Sequence, residues 1–198
     1  EFNSIAQRRE NLGKDFEIKG EILKASHQYR MASRYYSIAA YPFLKGDVLA
    51  SEAQIRSRRI YKQMIDLDPT NGVIQEETFT VRKEKVTGFL HLPNSTDVHP
   101  CVILSGSYEQ NVSDFYRYYN EFLRPRGIAV FDMPGFGLSS KIVLDDDFSC
   151  IIDAALEHLQ GIKNVDSTHI GLIGFRLSGA ACIREAILNP NKIKAISV

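Results

Sequence analysis

Gly174-Phe175-Arg176-Leu177-Ser178 lies between an apolar stretch, His169-Ile-Gly-Leu-Ile173, and a helix-like run, Gly179-Ala-Ala-Cys-Ile-Arg-Glu-Ala-Ile-Leu188. A strand, a sharp turn and a helix in that order are the setting of a Gly-x-Ser-x-Gly elbow, whose central serine is held in a strained turn. The positions two residues either side of the centre must be small. Here those positions are Gly174 and Ser178, and the centre is Arg176. A guanidinium stays protonated at any relevant pH and cannot attack a carbonyl. The setting for a nucleophile is present, and a cation stands in its place.

Working outward, the chain alternates strand and helix on both sides of this turn. Cys101-Val-Ile-Leu104, Gly127-Ile-Ala-Val-Phe-Asp132, Ile170–Ile173 and Ile193–Val198 read as strands. Asp114 to Arg124, Asp147 to Gln160 and the 180s read as the helices between them. Before them, Glu76-Glu-Thr-Phe-Thr-Val-Arg82 and Val86-Thr-Gly-Phe-Leu-His-Leu92 alternate like the two arms of a hairpin. The pattern predicts an α/β architecture: a mainly parallel sheet covered on both faces, with an antiparallel hairpin at its N-terminal edge.

Residues 1 to about 70 lack strand alternation and read as a helical region. Ile22, Leu23, Ser26, Tyr29, Ala32, Ser33, Tyr36, Ile38 and Ala39 give one helical face, which Pro42 ends. Asp47 offers an N-cap to a second helix marked by Leu49, Ala53, Ile55, Ile60, Met64 and Ile65. The two together read as a helical hairpin. The turn cluster Asp68-Pro-Thr-Asn-Gly72 places the boundary, so the sheet region runs from 73 to 198.

Ligands of parallel sheets bind beyond the carboxyl ends of the strands, which singles out three loops. Ser105-Gly106-Ser107-Tyr108 is either an oxyanion-binding loop or a plain strand-to-helix turn. Asp132-Met-Pro-Gly135-Phe-Gly137-Leu-Ser139-Ser140 is a glycine-rich pocket loop, and it matches neither the dinucleotide fingerprint nor the phosphate-loop string. The third loop is the elbow. Ser178 is a substitute nucleophile or the cap of the following helix. Arg176 is a paired surface arginine or a bidentate anion ligand. None of His27, His91, His99, His158 and His169 sits where a catalytic base belongs, after a later strand.

Formal net charge is zero, with 24% charged and 44% hydrophobic residues, which fits a soluble globular protein and gives no nucleic-acid surface. No run reaches the ~18 apolar residues of a membrane span. Cys101, Cys150 and Cys182 lack paired or metal-ligand spacing, which points to buried thiols in a reducing cytoplasm rather than disulfides or a zinc site. The chain starts at Glu1 and stops within an apolar strand, so it reads as a fragment cut at both ends, without turnover of its own.

Tyr36-Ser-Ile-Ala-Ala-Tyr-Pro-Phe-Leu-Lys-Gly-Asp47, Thr87-Gly-Phe-Leu-His-Leu-Pro93, Pro125-Arg-Gly-Ile-Ala129, Asp132-Met-Pro134, Gly137-Leu-Ser-Ser-Lys141 and Gly174-Phe-Arg176 together resemble the fermentation–respiration switch (FrsA-type) family of α/β hydrolases. The resemblance covers roughly residues 27 to 198. It implies an α/β-hydrolase domain, incomplete here, after a helical region, with no cofactor and with carboxylic-ester hydrolase activity. The family pattern at the elbow resembles Gly-Phe-Arg-Phe-Gly, so the arginine is shared, while Leu177 and Ser178 replace its last two residues. The resemblance also implies the glucose-specific IIA component of the bacterial sugar phosphotransferase system as a partner. Two functions follow from these residues: hydrolysis of a small ester, or recognition of an anionic metabolite by a non-catalytic module.

Overall fold

The computed structural model describes residues 1–41, 47–106, 115–133 and 147–198. Two units emerge, Glu1–Ile74 and Gln75–Val198.

Among its described residues the first unit contains three α-helices rather than the two of a hairpin: α1 (Phe2–Ile18), α2 (Ile22–Ala40) and α3 (Val48–Leu67). The helix α1 is hard to read from sequence because its buried positions are Ala6, Glu10 and Gly13, none of them a large apolar residue. It stops where Gly20 takes a left-handed φ of 72°. The end of α2 follows the logic of proline: Tyr41 is extended at φ −68° and ψ 139°, the conformation imposed on a residue before Pro. The Asp47 cap forms as expected, its side chain accepting from the Ala50 N–H at 3.0 Å. The expected faces are buried at Tyr29, Ala32, Ser33 and Tyr36 of α2 and at Ala53, Ile60, Met64 and Ile65 of α3, but not at every position. Ala25, Tyr29, Ala32, Ser33 and Tyr36 point inward on α2, whereas Leu23 and Ile38 are exposed. On α3 the exposed pair is Leu49 and Ile55, and Ser57 and Tyr61 are buried instead.

Polar contacts join the three helices. Ser33 and Ser57 each donate to the other's carbonyl at 2.8 Å, which brings the backbones of α2 and α3 close. Glu10 is 2% exposed and accepts from Tyr36 Oη and Arg59 Nη2, both at 3.0 Å, and pairs with Lys14 at 2.8 Å. Burial opposes its charge, but those three partners outweigh burial and hold the carboxyl below its ordinary value.

The second unit is a six-stranded sheet in the order β1-β2-β4-β3-β5-β6. The strands are β1 (Val73–Val81), β2 (Glu84–Leu92), β3 (His99–Ser105), β4 (Ala129–Met133), β5 (Val165–Gly174) and β6 (Ile193–Ser197). The pairs β3–β4, β3–β5 and β5–β6 are parallel, and β2 runs antiparallel to β4. The two-residue connection Arg82-Lys83 has φ of 48° and 72°, both left-handed, which matches the tight turn of a twisted hairpin. This is the mainly parallel sheet with an antiparallel N-terminal hairpin that the sequence predicts.

Helices differ more than strands from the sequence reading. The segment expected as one amphipathic helix from Asp114 is described from Phe115 on. It comprises a turn of α-helix, α4 (Tyr116–Tyr118), a π-helical segment (Tyr119–Leu123) and a 3₁₀ turn (Arg124–Arg126). Pro125 has no N–H to return to the Glu121 carbonyl, so a regular α-helix cannot run through it. Gly127, left-handed at φ 69°, ends the segment before β4. The helix α5 (Cys150–Gln160) begins three residues later than expected, and α6 (Leu177–Leu188) begins two residues earlier. Cys101 and Cys182 are buried, while Cys150 is only partly so. No helix among the described residues is long and apolar enough to cross a membrane.

Candidate functional site

The elbow is built from the end of β5 and the start of α6. A Cβ on Gly174 would lie 2.7 Å from the Ser178 carbonyl oxygen, 2.7 Å from Cys182 Sγ and 2.8 Å from Gly179 Cα. Two of those three neighbours are backbone, so the position accepts only glycine. The chain then reverses through Arg176, at φ 55° and ψ −118°. A side chain in that region costs of order 1–3 kcal/mol and persists only where its surroundings dictate it. Among the described residues only the hairpin pair Arg82 and Lys83 and this arginine are non-glycine residues at positive φ. The elbow is therefore as tight as one with a serine at its centre.

Its neighbours hold it from both sides. The Phe175 ring stacks on Phe115 at 4.9 Å and meets Tyr118 edge-on at 6.0 Å. Both rings sit beside a core of Leu104, Tyr119 and Val130. The Phe175 N–H donates to the Ser105 carbonyl at 3.1 Å, which extends the parallel pairing of Ser105 with Gly174 one step further. Arg176, by contrast, is exposed. The Leu177 N–H is the first of α6 and has no intrahelical acceptor, whereas the next two amides, of Ser178 and Gly179, donate to the Phe175 and Arg176 carbonyls at 3.1 and 3.0 Å. Together these place a guanidinium and the positive end of a helix dipole at the carboxyl end of β5.

Ser178 does not cap α6. The N-cap is Arg176, with no side-chain capping bond, and Ser178 lies within the first turn. It is 0% exposed, and its hydroxyl donates to the carbonyl of Gly106. The loop after β3 and the elbow are thus brought together at Ser105, Gly106, Phe175 and Ser178. Asp132, 2% exposed, sits at the end of β4 in register with Leu104 of β3 and Phe89 of β2. Ser107, Gly135, Gly137 and Ser139 lie outside the described residues.

No histidine reaches this end of the sheet. His91 is buried on β2 against Tyr119, ring centroids 4.9 Å apart, and burial holds its pKa down to about 3. His99 starts β3 and meets the Gly127 carbonyl at 3.0 Å. His158, on α5, bonds Glu77 at 2.9 Å. His169 pairs with Asp166 at 2.7 Å, five residues and about 16 Å of strand before the elbow. His27 lies on α2 in the helical unit. Cys182 is near the turn, but burial pushes its thiol up to about 12, so it is not a thiolate nucleophile. Among the described residues no three His, Cys, Asp or Glu side chains gather as a metal site.

Phe115 and Tyr118, whose rings meet Phe175, and Cys182, which lies behind Gly174, have no role at the elbow in the sequence reading. The aromatic run Phe115-Tyr-Arg-Tyr-Tyr119 is the signal that could have found two of them, since its rings exceed what a surface helix needs. Chemically, the arrangement offers a cation and the positive end of a helix dipole to an anion, and presents no activated nucleophile among the described residues.

Comparison with known proteins places this geometry. The family model "Esterase FrsA-like" matches residues 13–198. Relatives include an Esterase FrsA of Klebsiella pneumoniae (strain 342), 36% identical over 88% of this chain and 42% of its own length. One from Vibrio cholerae serotype O1 is 38% identical over 90% of this chain and 43% of its own. One from Photobacterium profundum is 33% identical over 98% and 46%. The chain thus spans less than half the length of these relatives. Among solved structures, a 2,6-dihydroxy-pseudo-oxynicotine hydrolase aligns with a TM-score of 0.77 at 21% identity, over 96% of this chain and 54% of that one. The protein AbyA5 aligns at 0.67 and 18%, over 97% and 54%. At such identities these likenesses speak for the fold alone. A sheet of this order carrying the elbow, and a family model matched over nearly its full length, make this chain a member of the FrsA-like esterase family of α/β hydrolases.

Proposed function

We propose that the elbow of this protein binds an anion, a carboxylate or a phosphate carried by a small molecule, and does not form an acyl-enzyme. One observation carries the reading. The strained centre of the turn holds the exposed guanidinium of Arg176, while the neighbouring serine is wholly buried with its hydroxyl given to the Gly106 carbonyl. The planar guanidinium pairs bidentately with carboxylate or phosphate, and the positive end of the α6 dipole favours the same charge. A metabolite of that class suits a non-catalytic, regulatory use of a hydrolase fold.

Ester hydrolysis remains the second reading, favoured by the name of the curated relatives, Esterase FrsA. In that reading Arg176 stabilises the charge developing on the ester carbonyl, and the attacking group comes from outside the described residues. The elbow then acts as an electrophilic site.

Titration of the purified protein with inorganic phosphate and with acetate, followed by NMR or calorimetry, tests the first reading. Arg176→Ala is expected to weaken binding roughly 10- to 100-fold, from the ~1.5–3 kcal/mol of hydrogen bonds to a charged group. Arg176→Lys is expected to restore only part of it, since an ammonium lacks the fork. Equal affinity in all three proteins contradicts the proposal.

A further inference from the structure

Two bonds join the end of β3 to the elbow. The first, from the Phe175 N–H to the Ser105 carbonyl at 3.1 Å, is made by backbone alone and is open to any residues. The second, from the Ser178 hydroxyl to the Gly106 carbonyl, exists only because position 178 is serine. A glycine there would satisfy the steric demand of the turn equally well, because Gly174 and Gly179 already supply the close approach. Serine adds a hydroxyl at a site that is 0% exposed. A buried hydroxyl without a partner costs about 1–3 kcal/mol, so its pairing is a requirement of the residue choice.

The direction of that pairing matters for the elbow. Ser178 lies beneath the surface that carries Arg176, being wholly buried where Arg176 is exposed. The Gly106 carbonyl therefore takes its hydrogen bond from a donor inside the protein, and the partial negative charge of its oxygen, which repels anions, is partly satisfied there.

We propose that Ser178 is a positioning residue, whose buried hydroxyl pins the Gly106 carbonyl to the first turn of α6 and so sets the backbone at the end of β3 for an anion held by Arg176. The proposal rests on the anion-binding reading of the elbow. It gives Ser178 a role distinct from that of a nucleophile and from that of a helix cap, and it links the loop after β3 to the loop after β5 through one side chain.

The test compares Ser178→Ala, Ser178→Gly and Arg176→Ala in the purified protein. Two quantities are read: affinity for inorganic phosphate, and hydrogen exchange of the Phe175 amide against that of Leu172 in mid-strand. Both Ser178 variants are expected to weaken phosphate binding about five- to tenfold, the loss typical of one hydrogen bond. In both, the Phe175 amide exchanges faster while Leu172 stays as in the parent. A merely structural role predicts something else. Alanine is a better helix former than glycine by about 1 kcal/mol, so the two variants would split in melting temperature and keep the parent's phosphate affinity. Parental affinity in both variants overturns the positioning role and leaves the anion site standing. Absence of phosphate binding in the parent, or undiminished binding in Arg176→Ala, overturns the anion site instead. The Phe175 amide then decides: parental exchange in both Ser178 variants overturns the clamp as well, and faster exchange in both upholds it.

Discussion

In the helical unit Gly13 of α1 faces Tyr29 of α2, and a Cβ there would lie 2.6 Å from the ring edge. In the sheet unit Gly174 faces the elbow, where a Cβ would lie 2.7 Å from the Ser178 carbonyl oxygen and 2.8 Å from Gly179 Cα. The distances are alike and the neighbours are not. A ring can tilt by rotating about its own bonds, whereas a backbone carbonyl in the first turn of a helix can move only with the helix. The first contact is packing; the second fixes the path of the chain at the candidate site. The buried polar groups divide in the same way. Glu10 in the helical unit is surrounded by Tyr36, Arg59 and Lys14, all of which favour its charge. At the elbow the buried Ser178 hydroxyl is bound to a backbone carbonyl, and Arg176 is exposed.

The largest expected effect separates the two glycines. Gly174→Ala is expected to destabilise the sheet unit by about 3 kcal/mol or more, since overpacking against backbone leaves no low-cost relaxation. Gly13→Ala meets a movable ring and gains about 1 kcal/mol of helix propensity, so its net loss is expected to stay under about 2 kcal/mol. Urea melts of both variants check the order, and a larger loss at Gly13 would break the distinction.

Next comes the charge buried in the helical unit. Glu10→Gln is expected to cost about 1–2 kcal/mol at pH 7, because Arg59 and Lys14 lose a charged acceptor but remain half exposed. The folded state holds the Glu10 carboxyl below its ordinary value of 4.5. Its contribution is therefore present above that pH and fades as pH falls through the lower, folded value. The difference between parent and Glu10→Gln should shrink below pH 4.5, and a constant difference would contradict the charge network.

The smallest effect has the opposite sign. Glu185 of α6 is also 2% exposed, and burial raises its pKa; its bonds from Asn189 and Ser149 do not offset that, and Asp153 adds repulsion. Holding this group ionised at pH 7 opposes folding, and protonation relieves the strain as pH falls through the raised value. Glu185→Gln keeps the acceptor for Asn189 and is expected to stabilise the sheet unit by up to about 1 kcal/mol at pH 7, with the gain vanishing below pH 4.5. Thermal melts at pH 7 and pH 4 read this directly. Destabilisation at pH 7 would show that the two buried carboxylates behave alike after all.

The strands were legible because period and position agree: Cys101–Leu104 and Ile170–Ile173 are short apolar runs between turn residues, and they form adjacent parallel strands. The elbow was legible from Gly174 and its flanking strand and helix. The helical unit was legible in part: Tyr29, Ala32, Ser33 and Tyr36 of α2 and Ala53, Ile60, Met64 and Ile65 of α3 are buried as read, but α1, which buries Ala6, Glu10 and Gly13, was not. Hydrophobic periodicity cannot find an interface made of small and charged residues. It likewise assigned Leu23, Ile38, Leu49 and Ile55 inward, where the structure exposes them. The departure of the segment after Tyr118 from α-geometry was hidden for a different reason: a single proline at 125 signals an ending, not a widened turn before it. Ser178 was read as a cap or nucleophile because its partner, Gly106, is 72 residues away in sequence.

The most direct measurement is labelling of the purified protein with a fluorophosphonate ester mimic, with adducts mapped by mass spectrometry and folding verified by circular dichroism. The account predicts that Ser178 stays unmodified, because its hydroxyl is buried and committed to the Gly106 carbonyl while Arg176 holds the centre of the elbow. A stoichiometric adduct on Ser178 would contradict it and make this serine a nucleophile.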